Sequence, residues 1–333
     1  MRYLSIIFLL IPFTLEANWK SERESLDKVL IKNEFRLFYT MQGVHGIPNY
    51  KKTDSNLDGI PDYIENLANR LVVSDYIFKE IFKFRNPLDS PRYKDKAKFI
   101  DIHLMASKNN GSAGDAIIYF NYRNFPSLSD SVITIKLSNK LSIRNMTPTH
   151  ELFHLYQNGY TMFKNRWYTE GTARWSEYIF KKGVGSRESL PNNSVELMSL
   201  LSKTYGSKTF WHQLAYLFDK NDGQFELPIT SSDNMKILFS EIVEDKSIYG
   251  YGFMKKLLEE LDFMDDFASN DYGVDNYKWK ETLQKSSSNN NYILCALKNT
   301  MLKMSERIFI LDEVEQLIIL IDKFTNNECI RIN

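Results

Sequence analysis

His150-Glu151-Leu152-Phe153-His154 is a complete H-E-x-x-H set, and how it is read decides the fold. On an α-helix, residues four apart share a face, so His150 and His154 can hold one zinc ion between them. Glu151 sits one position round, where its carboxylate reaches a water on that ion and can take its proton. With five histidines in 333 residues, a chance match is rare, and the surroundings carry the decision.

Those surroundings build a short helix. Thr147-Pro148 supplies an N-cap candidate and a proline suited to the first turn, and Gly159 fits the residue just past the helix end. A third protein ligand has to come from elsewhere, leaving the fourth position for water. Gln157 and Tyr160 stand where the third-histidine class needs glycine and histidine, which excludes that class. Downstream, Trp167-Tyr168-Thr169-Glu170-Gly171-Thr172-Ala173-Arg174-Trp175-Ser176-Glu177 reads as a second helix after a short loop, free to fold back on the first. Glu170 in its first turn could then face the histidines, with Gly171 and Ala173 small enough for close packing. Glu177, seven residues on, shares that helical face and is the alternative ligand.

A second pattern lies upstream. Asp54-Ser55-Asn56-Leu57-Asp58-Gly59-Ile60-Pro61-Asp62-Tyr63-Ile64-Glu65 fits D-x-[DN]-x-[DN]-G-x5-E at every fixed position. Oxygen donors at Asp54, Asn56, Asp58, the Ile60 carbonyl, Asp62 and Glu65 suit a hard Ca²⁺ ion, and Gly59 permits the sharp turn. Pro61 and the lack of a second loop separate it from a paired EF-hand. The competing assignment is a solvated acidic turn capping the next helix. Calcium here is expected to be structural.

Composition narrows the function classes. Lys+Arg and Asp+Glu number 42 each, so there is no basic field for nucleic acid and no acidic one for cationic partners. Met1-Arg2-Tyr3, an apolar run from Leu4 to Leu15 and small Ala17 describe a signal peptide over residues 1–17. No later apolar run approaches spanning length, so the mature chain is expected in a periplasm or outside the cell, with no integral membrane segment. Cys295 and Cys329 can pair in such an oxidising compartment or stand as two buried thiols.

The residues after the signal divide into a strand-containing part, 18–220, and a helical part, 221–333. In the first, a short helix and a strand at Phe35–Tyr39 precede an amphipathic helix from about Asp62 to Phe82. Strands follow at Lys98–Leu104, Ala116–Phe120 and Ser131–Leu137, with a turn-rich loop over Asn109–Gly114. Helical spacing then recurs near 195–220, 232–245, 251–268, 291–305 and 309–324. Strands followed by helices define an α+β fold.

H-E-x-x-H followed by W-x-x-E-G-x-A resembles the gluzincin zinc metallopeptidases. Together with the D-x-N-x-D-G-I-P-D loop it resembles a group of secreted bacterial metalloproteases over about residues 35–220. The resemblance implies a zincin-like catalytic core, with a mixed sheet and an active-site helix, followed by a mainly helical region. It implies Glu170 as the third zinc ligand and Glu177 as a carboxylate orienting a ligand histidine. Arg174 departs from the thermolysin-type pattern, which has an acid there. Tyr205 loosely matches the tyrosine of aminopeptidase-like branches that donates to the oxyanion, although Lys208 replaces their glycine. His212 is the other candidate donor, and His45 and His103 are expected to be structural. No G-x-M-E-N segment is present, which favours an endopeptidase acting on protein or peptide. Gly111–Phe120 is the candidate edge strand for an extended substrate, with Gly114 as the position where bulk should raise KM. The competing class is a calcium-stabilised exported binding or adhesion protein that keeps the fold without catalysis.

Overall fold

Ile100, Ile102 and Leu104 alternate with Asp101 and His103 along β3 (Phe99–Met105), the central strand of a five-stranded sheet ordered β1-β2-β3-β5-β4. In this computed structural model the described residues are 22–181, 185–219, 223–305, 312–326 and 329; the expected signal, 1–17, lies outside them. β1 (Lys28–Lys32) pairs antiparallel with β2 (Phe35–Tyr39), and β2 and β3 run parallel. β3 runs parallel to β5 (Asp130–Ser138), whose other side takes β4 (Gly111–Phe120) antiparallel, leaving β4 at the edge.

Both faces of β3 are buried, which explains its continuous burial. The isoleucines face the main core. Asp101 faces the other side, where Arg36 grips it through Nε at 2.6 Å and Nη2 at 2.9 Å and Tyr122 Oη donates at 2.6 Å. His103 Nε2 lies 2.8 Å from the same Tyr122 hydroxyl. His103 is therefore a partnered core residue, as expected, and His45 likewise accepts from the Ala106 amide.

α1 (Asp62–Tyr76) and a π-helical turn (Ile77–Ile81) occupy the amphipathic stretch expected to end at Phe82. After β5 come α2 (Thr147–Tyr160) and α3 (Arg166–Ser176), then α4 (Ser194–Ser202) and α5 (Lys208–Leu217). The later helices are α6 (Asp233–Ile242), α7 (Tyr251–Tyr272), α8 (Glu281–Gln284), α9 (Asn289–Ser305) and α10 (Asp312–Phe324). One apolar cluster runs from Phe35 through Phe153, Trp175 and Trp211 to Leu257, Leu294 and Leu317, joining both parts of the chain. Cys295 and Cys329 form a disulfide across 34 positions, tying Cys329 to α9.

Several local expectations are corrected. Residues 28–32 form a strand, because Asn33 adopts φ +52° and turns the chain into a hairpin. The loop expected over Asn109–Gly114 becomes strand from Gly111, since Gly111–Gly114 pair with Leu137–Thr134. Thr147 is the first helical residue rather than the cap; Asn145 Oδ1 accepts its amide hydrogen at 2.8 Å. Gly159 lies inside α2, where a Cβ would come within 3.4 Å of Pro87 and Ser90. Its role is close packing, not helix termination.

Candidate functional site

α2 carries His150, Glu151 and His154 on the side that meets β4 and α3. Its apolar opposite face, with Leu152, Phe153 and Tyr156, is fully buried and locks the helix against α1 and the core. α3 then brings Glu170 opposite the histidines. Glu170 Oε2 lies 3.3 Å from His150 Nε2 and 3.7 Å from His154 Nε2. Ligand atoms of His150, His154 and Glu170 all fall within 4.8 Å of one another, the only such three-residue group among the described residues. Two imidazole nitrogens and one carboxylate oxygen match the His₂Glu donor set of three-ligand metal sites with an open fourth position.

The outer nitrogens of both rings are held. His150 Nδ1 lies 3.0 Å from Glu177 Oε1, and His154 Nδ1 lies 2.7 Å from Gln157 Oε1. Gln157 donates its amide hydrogens to Thr169 O at 3.0 Å and Thr172 Oγ1 at 2.6 Å, so its oxygen faces the ring and accepts from Nδ1–H. A carboxylate or amide acceptor behind each ring turns its Nε2 towards the centre. Of the two carboxylates on the 166–177 segment, Glu170 thus sits with the histidines and Glu177 behind His150. Glu177 is also bound by Arg174 Nη1 at 2.9 Å and by Lys181 Nζ. Arg174, the departure from the thermolysin-type pattern, therefore supports the carboxylate three residues further on.

The electrostatics follow from this crowding. Burial acts to lower the His150 pKa, but hydrogen bonds with Glu170 and Glu177 outweigh it and raise the ring to about 9. Burial likewise opposes ionisation of Glu170 and Glu177, yet His150 and His154 hold Glu170, and His150, Lys181 and Arg174 hold Glu177, below the ordinary carboxylate range. Glu151 goes the other way: burial raises it, against the pull of His154 and His150 and a backbone hydrogen bond from Ala113 of β4. A carboxyl raised above its usual value is suited to accept a proton near neutral pH.

Glycines set two close approaches. A Cβ at Gly111 would lie 2.6 Å from Thr147 Cγ2 and 2.9 Å from Glu151 Cγ, so glycine lets β4 lie against Glu151. A Cβ at Gly114, the glycine where bulk was expected to raise KM, would instead meet Thr134 Oγ1 of β5 at 2.9 Å, so Gly111 is the one that packs against Glu151. Gly171 was expected to let α3 close on α2. Its missing side chain is needed against α5 instead, where a Cβ would lie 2.4 Å from Trp211 and 2.5 Å from Ser207 Oγ.

That contact delivers Tyr205. It opens the 3₁₀ turn Tyr205–Ser207 with its ring centroid 6.1 Å from that of His150. Arg174 and Arg166 lie 4.8 and 5.7 Å from the Tyr205 ring. Burial and the Glu170 charge raise its pKa, keeping the phenol protonated as a donor. His212 is buried elsewhere, stacked edge-on against Tyr178 at 4.6 Å, with burial lowering it to about 4. It lines neither cavity beside the histidines.

Those two cavities share Gly111, His150, Glu151, Arg166 and Tyr205. One, about 380 Å³, extends past His154, Asp115 and Lys164 to Glu281 and Lys285 of the α8 segment. The other, about 700 Å³, extends past Asn109, Arg144 and Arg174. Residues 281–285 thus give the C-terminal helical part a place in the cleft wall that no sequence motif signalled. Gln157 was also missed: in the sequence it served only to exclude the third-histidine class.

The 54–65 segment runs into α1, whose first turn holds Asp62 and Glu65. Gly59 (φ +87°) donates its amide to Asp54 Oδ2 at 2.9 Å, and Asn56 Nδ2 lies 3.3 Å from both Asp58 and Glu65 oxygens. Asp62 is turned to Ser55, accepting from its amide and hydroxyl. Asp54 Oδ1 is buried without a partner, an orphan acceptor that a cation would satisfy. The loop's carboxylates do not form a three-residue group as tight as the histidine site. Among the described residues no helix is long and apolar enough to cross a membrane. Scans against protein families, curated proteins and solved structures find no match to this chain.

Proposed function

We propose that this protein is an exported zinc-dependent endopeptidase of gluzincin type, built on a zincin-like core. The observation that carries the proposal is the convergence of two Nε2 atoms on one Glu170 oxygen, each ring backed by its own acceptor. His150, His154 and Glu170 would hold the ion. When bound there, zinc supplies Lewis acidity to the scissile carbonyl and acidifies water.

The chain's own residues supply the rest. Glu151, with its raised carboxyl, accepts the proton of the attacking water and passes it to the leaving nitrogen. Tyr205, protonated and beside His150, donates to the oxyanion. The edge of β4 beside Glu151 offers backbone groups to an extended peptide. Cavity space on both sides of the histidines supports cleavage within a chain.

The 54–65 loop is assigned to structural Ca²⁺, through Asp54, Asn56, Asp58, the Ile60 carbonyl, Asp62 and Glu65. The orphan Asp54 oxygen and the left-handed Gly59 support it. The disulfide supports an oxidising destination.

The deciding experiment measures bound zinc and casein cleavage for wild type and Glu151→Gln. Zinc in both proteins and cleavage by wild type alone is the expected pattern. A wild type that binds no zinc refutes the enzyme assignment.

A further inference from the structure

We propose that the cleft is polarised in charge, and that its basic end, where β4 begins, binds an acidic side chain of the peptide substrate. This rests on the peptidase assignment and names the substrate class for it.

The larger cavity is lined by four cations, Arg144, Arg166, Arg174 and Lys181, against two carboxylates, Glu151 and Glu177. Glu177 is already shared among His150, Arg174 and Lys181, so one carboxylate answers several donors. Glu151 is buried beneath β4 and bound by the Ala113 amide, which removes it from this balance. Arg166 lies 3.4 Å from Glu170, a carboxylate directed at the histidines. Arg144 stands exposed at the cavity mouth and has no ion pair among the described residues. A surplus of positive charge therefore faces the space beside Asn109 and Asn110.

The opposite end is balanced: its wall carries Asp115 and Glu281 against Lys164 and Lys285, paired at 2.8 Å and 2.5 Å. A cleft walled by low-dielectric protein focuses such an asymmetry onto whatever lies in it. Guanidinium groups recognise a carboxylate through paired N–H donors, and a lysine in the same place meets like charge. A peptide lying along β4 therefore gains from Glu or Asp at the end near Arg144 and loses from Lys or Arg.

The test uses the zinc-loaded full chain and one acetylated, amidated peptide with Glu, Gln or Lys placed in turn at each position flanking the cleaved bond. At one position on one side, kcat/KM should fall from Glu to Gln by roughly tenfold and further to Lys. The ratio should shrink as salt rises, which a purely structural effect would not do. Arg144→Gln should reduce the Glu:Gln ratio several-fold, and Arg144→Glu should favour Lys over Glu. Equal cleavage of all three peptides at every position overturns the proposal and leaves the peptidase standing. An unchanged ratio in both Arg144 variants overturns it as well. Cleavage of none, with the Glu peptide binding zinc-loaded Glu151→Gln no better than the Lys peptide, overturns this proposal and the peptidase assignment together.

Discussion

Gln157 Oε1 accepts from His154 Nδ1 at 2.7 Å while its amide hydrogens are fixed by Thr169 and Thr172 of α3. One side chain therefore sets the tautomer of His154, a candidate metal ligand, and ties the two site helices together. Gln157→Ala should weaken zinc binding by about 10–100-fold, as removal of an orienting partner does elsewhere. Competition with a fluorescent chelator would measure it, with circular dichroism checking the fold. Affinity within threefold of wild type would show that Gln157 does not orient the ring.

Gly111 and Gly114 separate two effects on one strand. Gly111→Ala drives a methyl into Thr147 and Glu151, displacing the proposed base, and should lower kcat by about 10–100-fold. Gly114→Ala meets a single hydroxyl on β5 and should reduce stability by about 1 kcal/mol with far less effect on turnover. Equal turnover in the two variants would contradict this geometry.

Asp75 links stability to pH. Buried on α1, it accepts from Tyr156 Oη at 2.6 Å and Asn86 Nδ2 at 3.2 Å. Burial, aided by the Glu34 charge, pushes its carboxyl up to about 8. The folded state thus binds the proton more tightly than the unfolded chain. The stability from this group is present below pH about 4 and is lost as pH rises towards about 8. Asp265, raised by burial to about 7, acts in the same direction. Asp75→Asn should flatten, without abolishing, the fall in Tm between pH about 5 and 8. Parallel Tm curves for variant and wild type would exclude Asp75 as a source.

The disulfide closes a loop of 34 positions, for which chain entropy gives about 3–4 kcal/mol. Cys295→Ser/Cys329→Ser should lower the denaturant midpoint accordingly. Because neither sulfur approaches the cleft, kcat/KM at 25 °C should stay within about twofold of wild type.

Calcium removal should act on stability first. Ca²⁺ at about 100 times its Kd should add roughly 2.7 kcal/mol to the wild type. In Asp54→Ala, which deletes the orphan acceptor, the calcium-dependent rise in Tm should vanish. A rise of the same size in both proteins would remove the loop from consideration.

Much of the site was legible because helical periodicity is a local property. H-E-x-x-H alone put His150 and His154 on one face, and the same period made Glu170 and Glu177 the two candidate carboxylates. Which carboxylate faces the two Nε2 atoms was not local. It depends on the rotation of α3 against α2, set by Trp211 and Ser207 packing over Gly171. The edge strand was half legible. Isoleucines marked residues 116–120, but Gly111–Gly114 look like a turn until Leu137–Thr134 supply hydrogen-bond partners.

The sequence by itself determined the α+β order, the H-E-x-x-H donor residues and the oxygen-rich 54–65 loop, because spacing and donor chemistry are written along the chain. Tertiary structure alone decided that Gln157 backs His154, that Tyr205 reaches His150, and that α8 joins the cleft wall. Each of those contacts joins segments whose meeting is fixed by how buried faces interlock, and no period in the sequence encodes that.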